Sequence, residues 1–151
     1  MSDKIEKDID INAPVARVWR ALTDHREFGE WFGLAFDAPF KPGKAMTGRF
    51  TLKGMEGRTL SVTMVAVEPQ TRFALTWHPY PMDQSIDYSL ETPTLVEFKL
   101  EPKTGGGTKL RVTESGFDKV PAHRRALAFA KNTDGWTWQL ANLKAYAEKH
   151  D

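Results

Sequence analysis

A long apolar stripe near the end of the chain limits the folds open to it. From Pro121 onward, Phe129, Thr133, Trp136, Leu140, Leu143 and Ala147 recur four, three, four, three and four positions apart, the spacing of one face of an α-helix. A helix of about 28 residues is ~42 Å long at a rise of about 1.5 Å per residue. A single stripe of that length can be buried only against something as broad as a sheet. Gly135 lies inside the run, where glycine costs ~1 kcal/mol relative to alanine. The expectation is therefore that the backbone bends there or closely approaches a strand beside Trp136.

The remainder of the chain supplies the sheet. Between Ile5 and Asn12, Ile5, Ile9 and Ile11 alternate with Glu6, Asp8 and Asp10, the period of a half-buried strand. After Pro14, Val15, Val18, Trp19 and Leu22 fall on one helical face, with proline at a position favoured in a first turn. Asp24 and Glu27 mark a second helix start, followed by the stripe Phe28, Trp31, Phe32. Glycines and prolines from 35 to 57 allow only short strands there, with Met46, Gly48, Phe50 and Leu52 sharing one parity. Arg58 to Glu68 and Arg72 to Trp77 form a hairpin about Glu68-Pro69-Gln70. A second hairpin joins the strands of Val96, Phe98 and Leu100 and of Leu110 and Val112 through Gly105-Gly106-Gly107. The segment from His78 to Pro93 is longer than a usual connection and reads as a lid or an insertion. One α+β domain spanning 1–151 follows: a curved antiparallel sheet of about six or seven strands wrapped round a long C-terminal helix, with two short helices after the first strand.

Composition narrows the function. Lysine and arginine number 21 against 20 aspartate and glutamate, so no charge excess calls for nucleic acid or an anionic surface. There is no cysteine, which excludes disulfides and thiolate chemistry and fits a cytoplasmic location. No signal-peptide core and no apolar run of ~20 residues is present, so secretion and membrane insertion are not expected. His25, His78, His123 and His150 form no metal-ligand spacing. They read as solvated or capping side chains, and neither metal nor cofactor is expected. The triple glycine lacks the spacing of a phosphate loop, and neither a nucleophile elbow nor a dinucleotide fingerprint occurs. Arg124, Arg125 and Lys131 at the start of the long helix read as a solvated face.

The order of these segments resembles a known family. "INAPVARVWRALTD", "WF", "VEPQTRFALTW", "LVEFKLEP", "GTKLRVTESGF" and "GWTWQLANLKAY" together look like the activator-of-heat-shock-protein-90-ATPase homologue branch of the START-like (SRPBCC) superfamily. The resemblance implies a helix-grip fold with an internal cavity between sheet and C-terminal helix, used across the superfamily for lipids, hormones and polyketides. Function varies widely on this fold.

Candidate site residues follow from the inward faces. Trp31, Phe32, Phe50, Phe73, Trp77, Phe98 and Trp136 all fall there, and a cavity must be lined by some of them. Trp31, Phe32, Trp77 and Trp136 lie where the resemblance places the cavity opening. Glu114 shares the parity of Leu110 and Val112, so its carboxyl points inward near a strand end and has a structural or rim role, or serves as a general base or ligand anchor. Three functions are open: binding a small hydrophobic or amphipathic molecule, a chaperone-associated or stress-response role through a surface, and a cyclase-, dehydratase- or hydrolase-like activity using Glu114. Oligomeric state leaves no signature in the sequence.

Overall fold

The structure is a computed structural model that describes residues 3–149; His150 lies outside them. Strand β1 (Lys4–Ile11) is followed by helices α1 (Val15–Thr23) and α2 (His25–Phe32). Six strands come next: β2 (Leu34–Ala35), β3 (Ala45–Phe50), β4 (Thr59–Glu68), β5 (Arg72–Trp77), β6 (Thr94–Pro102) and β7 (Thr108–Ser115). The last element is α3 (Ala122–Lys149). The strands form one seven-stranded sheet in the order β1-β7-β6-β5-β4-β3-β2, antiparallel at every pairing. The two helices after β1 thus carry the chain to the far edge, and the sheet meanders back until β7 pairs with β1.

Local chemistry sets the joints. Asp24 closes α1 by donating its N–H to the Arg20 carbonyl. It opens α2 by accepting the Arg26 and Glu27 amides on Oδ1, at 2.9 and 3.3 Å, a cap worth about 1 kcal/mol. Gly33 ends α2 in the left-handed region at φ 85°. A side chain there would meet Leu52 at 2.5 Å, so strain and crowding both select glycine. In β1 the isoleucines at 5 and 11 are buried and Ile9 half-buried, while Glu6, Asp8 and Asp10 are exposed, which aims one face at the core.

Helix α3 has the expected length of 28 residues and packs against β1, α1 and α2. Trp136, Leu140, Leu143 and Ala147 of its stripe are buried, and Phe129 and Thr133 half-buried. Two expectations about this helix are corrected. At Gly135 the helix is unbroken, and an added Cβ would find nothing within 4 Å. Trp136 takes the inward direction, and Gly135, about 100° round the helix, faces open space instead of a strand. Arg124 is no part of a solvated face: it is 8% exposed and is held by ion pairing to the loop before β6.

Candidate functional site

The centre of the molecule is organised around Glu114. Its strand position, opposite Ile5 of β1 and Val96 of β6, turns it inward with Leu110 and Val112, and it is 0% exposed. It is therefore no rim residue. Burying a carboxyl group is costly unless its oxygens are satisfied, and three other elements satisfy them. Trp77 Nε1, at the end of β5, donates to Oε2 at 2.8 Å, and Trp136 Nε1 of α3 donates to Oε1 at 2.9 Å. The Thr94 hydroxyl, at the start of β6, donates to Oε2 at 2.5 Å. Asn132 Nδ2, one helical turn before Trp136, reaches Oε1 at 2.9 Å and Oε2 at 3.2 Å. All four donors are uncharged.

Because each indole reaches a different oxygen of one carboxyl group, the two rings are brought face to face. Trp77 and Trp136 stack with centroids 5.6 Å apart and planes 17° from parallel. Phe32, the last residue of α2, tilts against both, at 5.9 and 6.3 Å, and Phe98 meets Trp136 edge-on at 5.6 Å. Such contacts add about 0.5–1.5 kcal/mol each beyond area burial. The result is a preorganised aromatic wall.

In front of that wall is an open cleft of about 290 Å³, lined by Phe32, Trp77, Asn132, Gly135, Trp136 and Gln139 together with Phe50, Leu60, Tyr80, Pro81, Met82 and Trp138, with Met55 and His78 completing the lining. Among the described residues no lysine, arginine, aspartate or glutamate lines it. A second space of about 400 Å³ lies alongside, sharing Phe50, Leu60, His78, Pro81 and Met82 and bordered also by Arg58, Asp83 and Asp87. The segment 78–93 covers this region and is tied down rather than loose. Arg124 Nη2 meets Glu91 at 2.6 Å and its Nη1 donates to the Pro79 carbonyl at 2.7 Å. The same guanidinium lies 4.7 Å over the Tyr88 ring. Arg58 donates to the Met82 carbonyl at 3.0 Å. His78, expected to be a solvated or capping side chain, is half-buried, with Nε2 2.9 Å from the Glu91 main-chain carbonyl.

The eight residues expected at the site therefore separate into four groups. Phe32, Phe50, Trp77 and Trp136 border the cleft. Phe73 and Phe98, at 0 and 1% exposure, stack on each other inside the core. Trp31 is buried and donates Nε1 to the Ala21 carbonyl at 2.8 Å, pinning α2 to α1; it borders a different shallow groove with Trp138 and Tyr146. Glu114 stands behind the wall, covered by Trp77, Asn132 and Trp136. Sequence reasoning missed Thr94, Asn132, Gly135 and Gln139. Asn132 and Gln139 were within reach, since they sit four before and three after Trp136 on one helical face; Thr94 had no local signal. Among the described residues no group of three or more histidines and acids is placed to hold a metal ion, and no helix is long and apolar enough to cross a membrane.

Residues 12–148 match the family described as activator of Hsp90 ATPase homolog 1-like protein. No curated protein matches the sequence. Solved structures share its fold. Protein MLL2253 from Mesorhizobium loti is 28% identical, with a TM-score of 0.75 over 98% of each chain. A protein from Arthrobacter aurescens is 15% identical, with a TM-score of 0.79 over 99% of this chain and 88% of that one. DynU16, a putative protein in the dynemicin biosynthetic locus, is 24% identical with a TM-score of 0.73, over 98% of this chain and 48% of its own length. The chain belongs to the activator of Hsp90 ATPase homolog 1-like family and has its START-like, helix-grip architecture.

Proposed function

We propose that this member of the family is a ligand-binding domain that takes a small hydrophobic or amphipathic molecule into the cleft between the sheet, the segment 78–93 and α3. The observation that carries this reading is the aromatic wall. Stacked Trp77 and Trp136, with Phe32 beside them, are held rigid by Glu114, and the space before them is apolar and uncharged. Concave, mainly apolar sites with a few placed polar groups are where small ligands bind, and a wall already fixed lowers the ordering cost of binding.

The enzymatic alternative fares worse on the same geometry. A general acid or base must come within hydrogen-bond reach of its substrate. Both Glu114 oxygens are engaged by the protein's own donors, three of which stand between the carboxyl group and the cleft. The chaperone-associated reading rests on the family description, and stimulation of an Hsp90-type ATPase by the purified chain is its test.

The binding reading is tested by thermal shift and native mass spectrometry with fatty acids and planar aromatic compounds. A ligand at 100 times its Kd stabilises the folded state by about 2.7 kcal/mol, which for a chain of this size raises Tm by roughly 5–10 °C. No shift and no bound mass with any of them would overturn it.

A further inference from the structure

Several polar groups around the cleft are committed to the protein itself. Indole N–H groups are donors only, and those of Trp77 and Trp136 are taken by Glu114. The Asn132 amide nitrogen is taken the same way, and that of Gln139 donates to the Phe32 carbonyl at 2.8 Å. His78 Nε2 lies 2.9 Å from the Glu91 carbonyl, an acceptor, so that nitrogen carries a hydrogen. A molecule in the cleft therefore meets a mainly aromatic and aliphatic surface that includes Phe50, Trp77, Met82 and Trp136, with Tyr80 and Trp138 supplying a hydroxyl and an indole N–H.

Charge leans the same way. Among the described residues no lysine or arginine belongs to the lining, and Glu114 lies one side chain behind it with only uncharged partners. The basic residues nearby are committed elsewhere: Arg124 to Glu91 and the Pro79 carbonyl, and Arg58 to the Met82 carbonyl. Lys131 is exposed at the rim, its ammonium 5.9 Å from the Tyr80 ring centroid. It is the opposing charge, and solvent and salt screen it. Its placement also shows an aromatic side chain of this rim receiving an ammonium group, as ring faces do.

We propose that the cleft discriminates by charge. It accepts planar apolar molecules carrying an ammonium group, and disfavours carboxylates and sulfonates of the same shape. This deepens the ligand-binding reading and rests on it. An ammonium group meets aromatic side chains with the Glu114 carboxyl group behind them, whereas an anion meets no lysine or arginine among the described lining residues.

The test is calorimetric titration of the full chain, at about 0.15 M salt, with 2-naphthyltrimethylammonium, 2-naphthol and 2-naphthalenesulfonate. The ammonium compound is expected to bind at least tenfold tighter than the sulfonate. Glu114→Gln, checked for folding by circular dichroism, is expected to narrow the ratio to below threefold. If that variant does not fold, the ratio in the unmodified chain decides alone. Equal or tighter binding of the sulfonate overturns the charge inference while leaving the cleft a ligand site. Failure of all three probes overturns both readings. Gly135→Leu fills the cleft and should abolish binding of all three; ammonium binding that survives it would place the preference elsewhere and overturn the proposal.

Discussion

Replacing Glu114 by alanine removes the acceptor that four side chains share, and the structure sets the size of the effect. The Thr94 hydroxyl has an alternative in the Trp77 carbonyl, 3.4 Å away, and half-buried Asn132 can turn to water. The two indole N–H groups have no such recourse, because Trp77 and Trp136 are 7% and 3% exposed. Each orphaned buried donor costs about 1–3 kcal/mol, so the pair costs roughly 2–6 kcal/mol. The relief of no longer burying a carboxyl group offsets part of this. Even the lower end is a large share of a domain's total of about 5–15 kcal/mol. Glu114→Gln keeps one carbonyl oxygen and so one indole partner, and should cost about half as much. Urea unfolding followed by tryptophan fluorescence measures both, with the slope of the transition checked for constancy. Near-ultraviolet circular dichroism reports separately whether the stacked indoles remain aligned. A Glu114→Ala protein within 1 kcal/mol of wild type, at the same slope and with the indole signal intact, would refute the account of the wall.

Gly135→Ala should stabilise the chain by up to ~1 kcal/mol, since an added Cβ finds nothing within 4 Å and alanine is the better helix former; the same methyl group enters the cleft and should weaken binding of any probe that stabilises the wild type in thermal shift. Arg124→Ala breaks a nearly buried pair with Glu91, whose side chains are 9 and 10% exposed, and should cost about 3–5 kcal/mol; limited proteolysis should then cut within 78–93, and unchanged resistance there would show that the segment is held by something else. Asp24→Ala should cost about 1 kcal/mol through loss of the α2 cap, read from the urea midpoint. Acid should destabilise the fold progressively. The carboxyl group of Asp8 is held below its ordinary value by hydrogen bonding to Arg111. That of Glu148 is lowered by Lys144 and the Asn12 amide, and that of Asp24, against its burial, by the Glu27 and Arg26 amides. Groups lowered in the folded state contribute stability above their unfolded pKa and lose it as pH falls through the folded one. Tm should therefore hold near neutrality and decline below the usual carboxylate range, and a Tm that rises on acidification would contradict this.

Much of the architecture was legible because it is written in short-range periodicity. The alternation in β1, the stripe of α3, the Asp24 cap and the glycine turn before β7 each depend on residues a few positions apart, and each appears where its pattern lies. The inward aim of Glu114 was legible for the same reason. Its partners were not: they come from residues 37, 20, 18 and 22 positions away, on elements whose meeting point no local pattern encodes. Arg124 and Glu91, 33 positions apart, were opaque in the same way, so a guanidinium that reads as solvated is in fact nearly buried.

Gly135 shows the division most clearly. That a glycine interrupts a long amphipathic helix beside a tryptophan can be read from neighbouring residues, because helical period and glycine's cost are local properties. What the missing side chain is for emerges only when distant elements pack together. Once Glu114 draws Trp136 inward against Trp77, the position before it is turned to the edge of the packed core, and the absent Cβ leaves room in the cleft rather than contact with a strand.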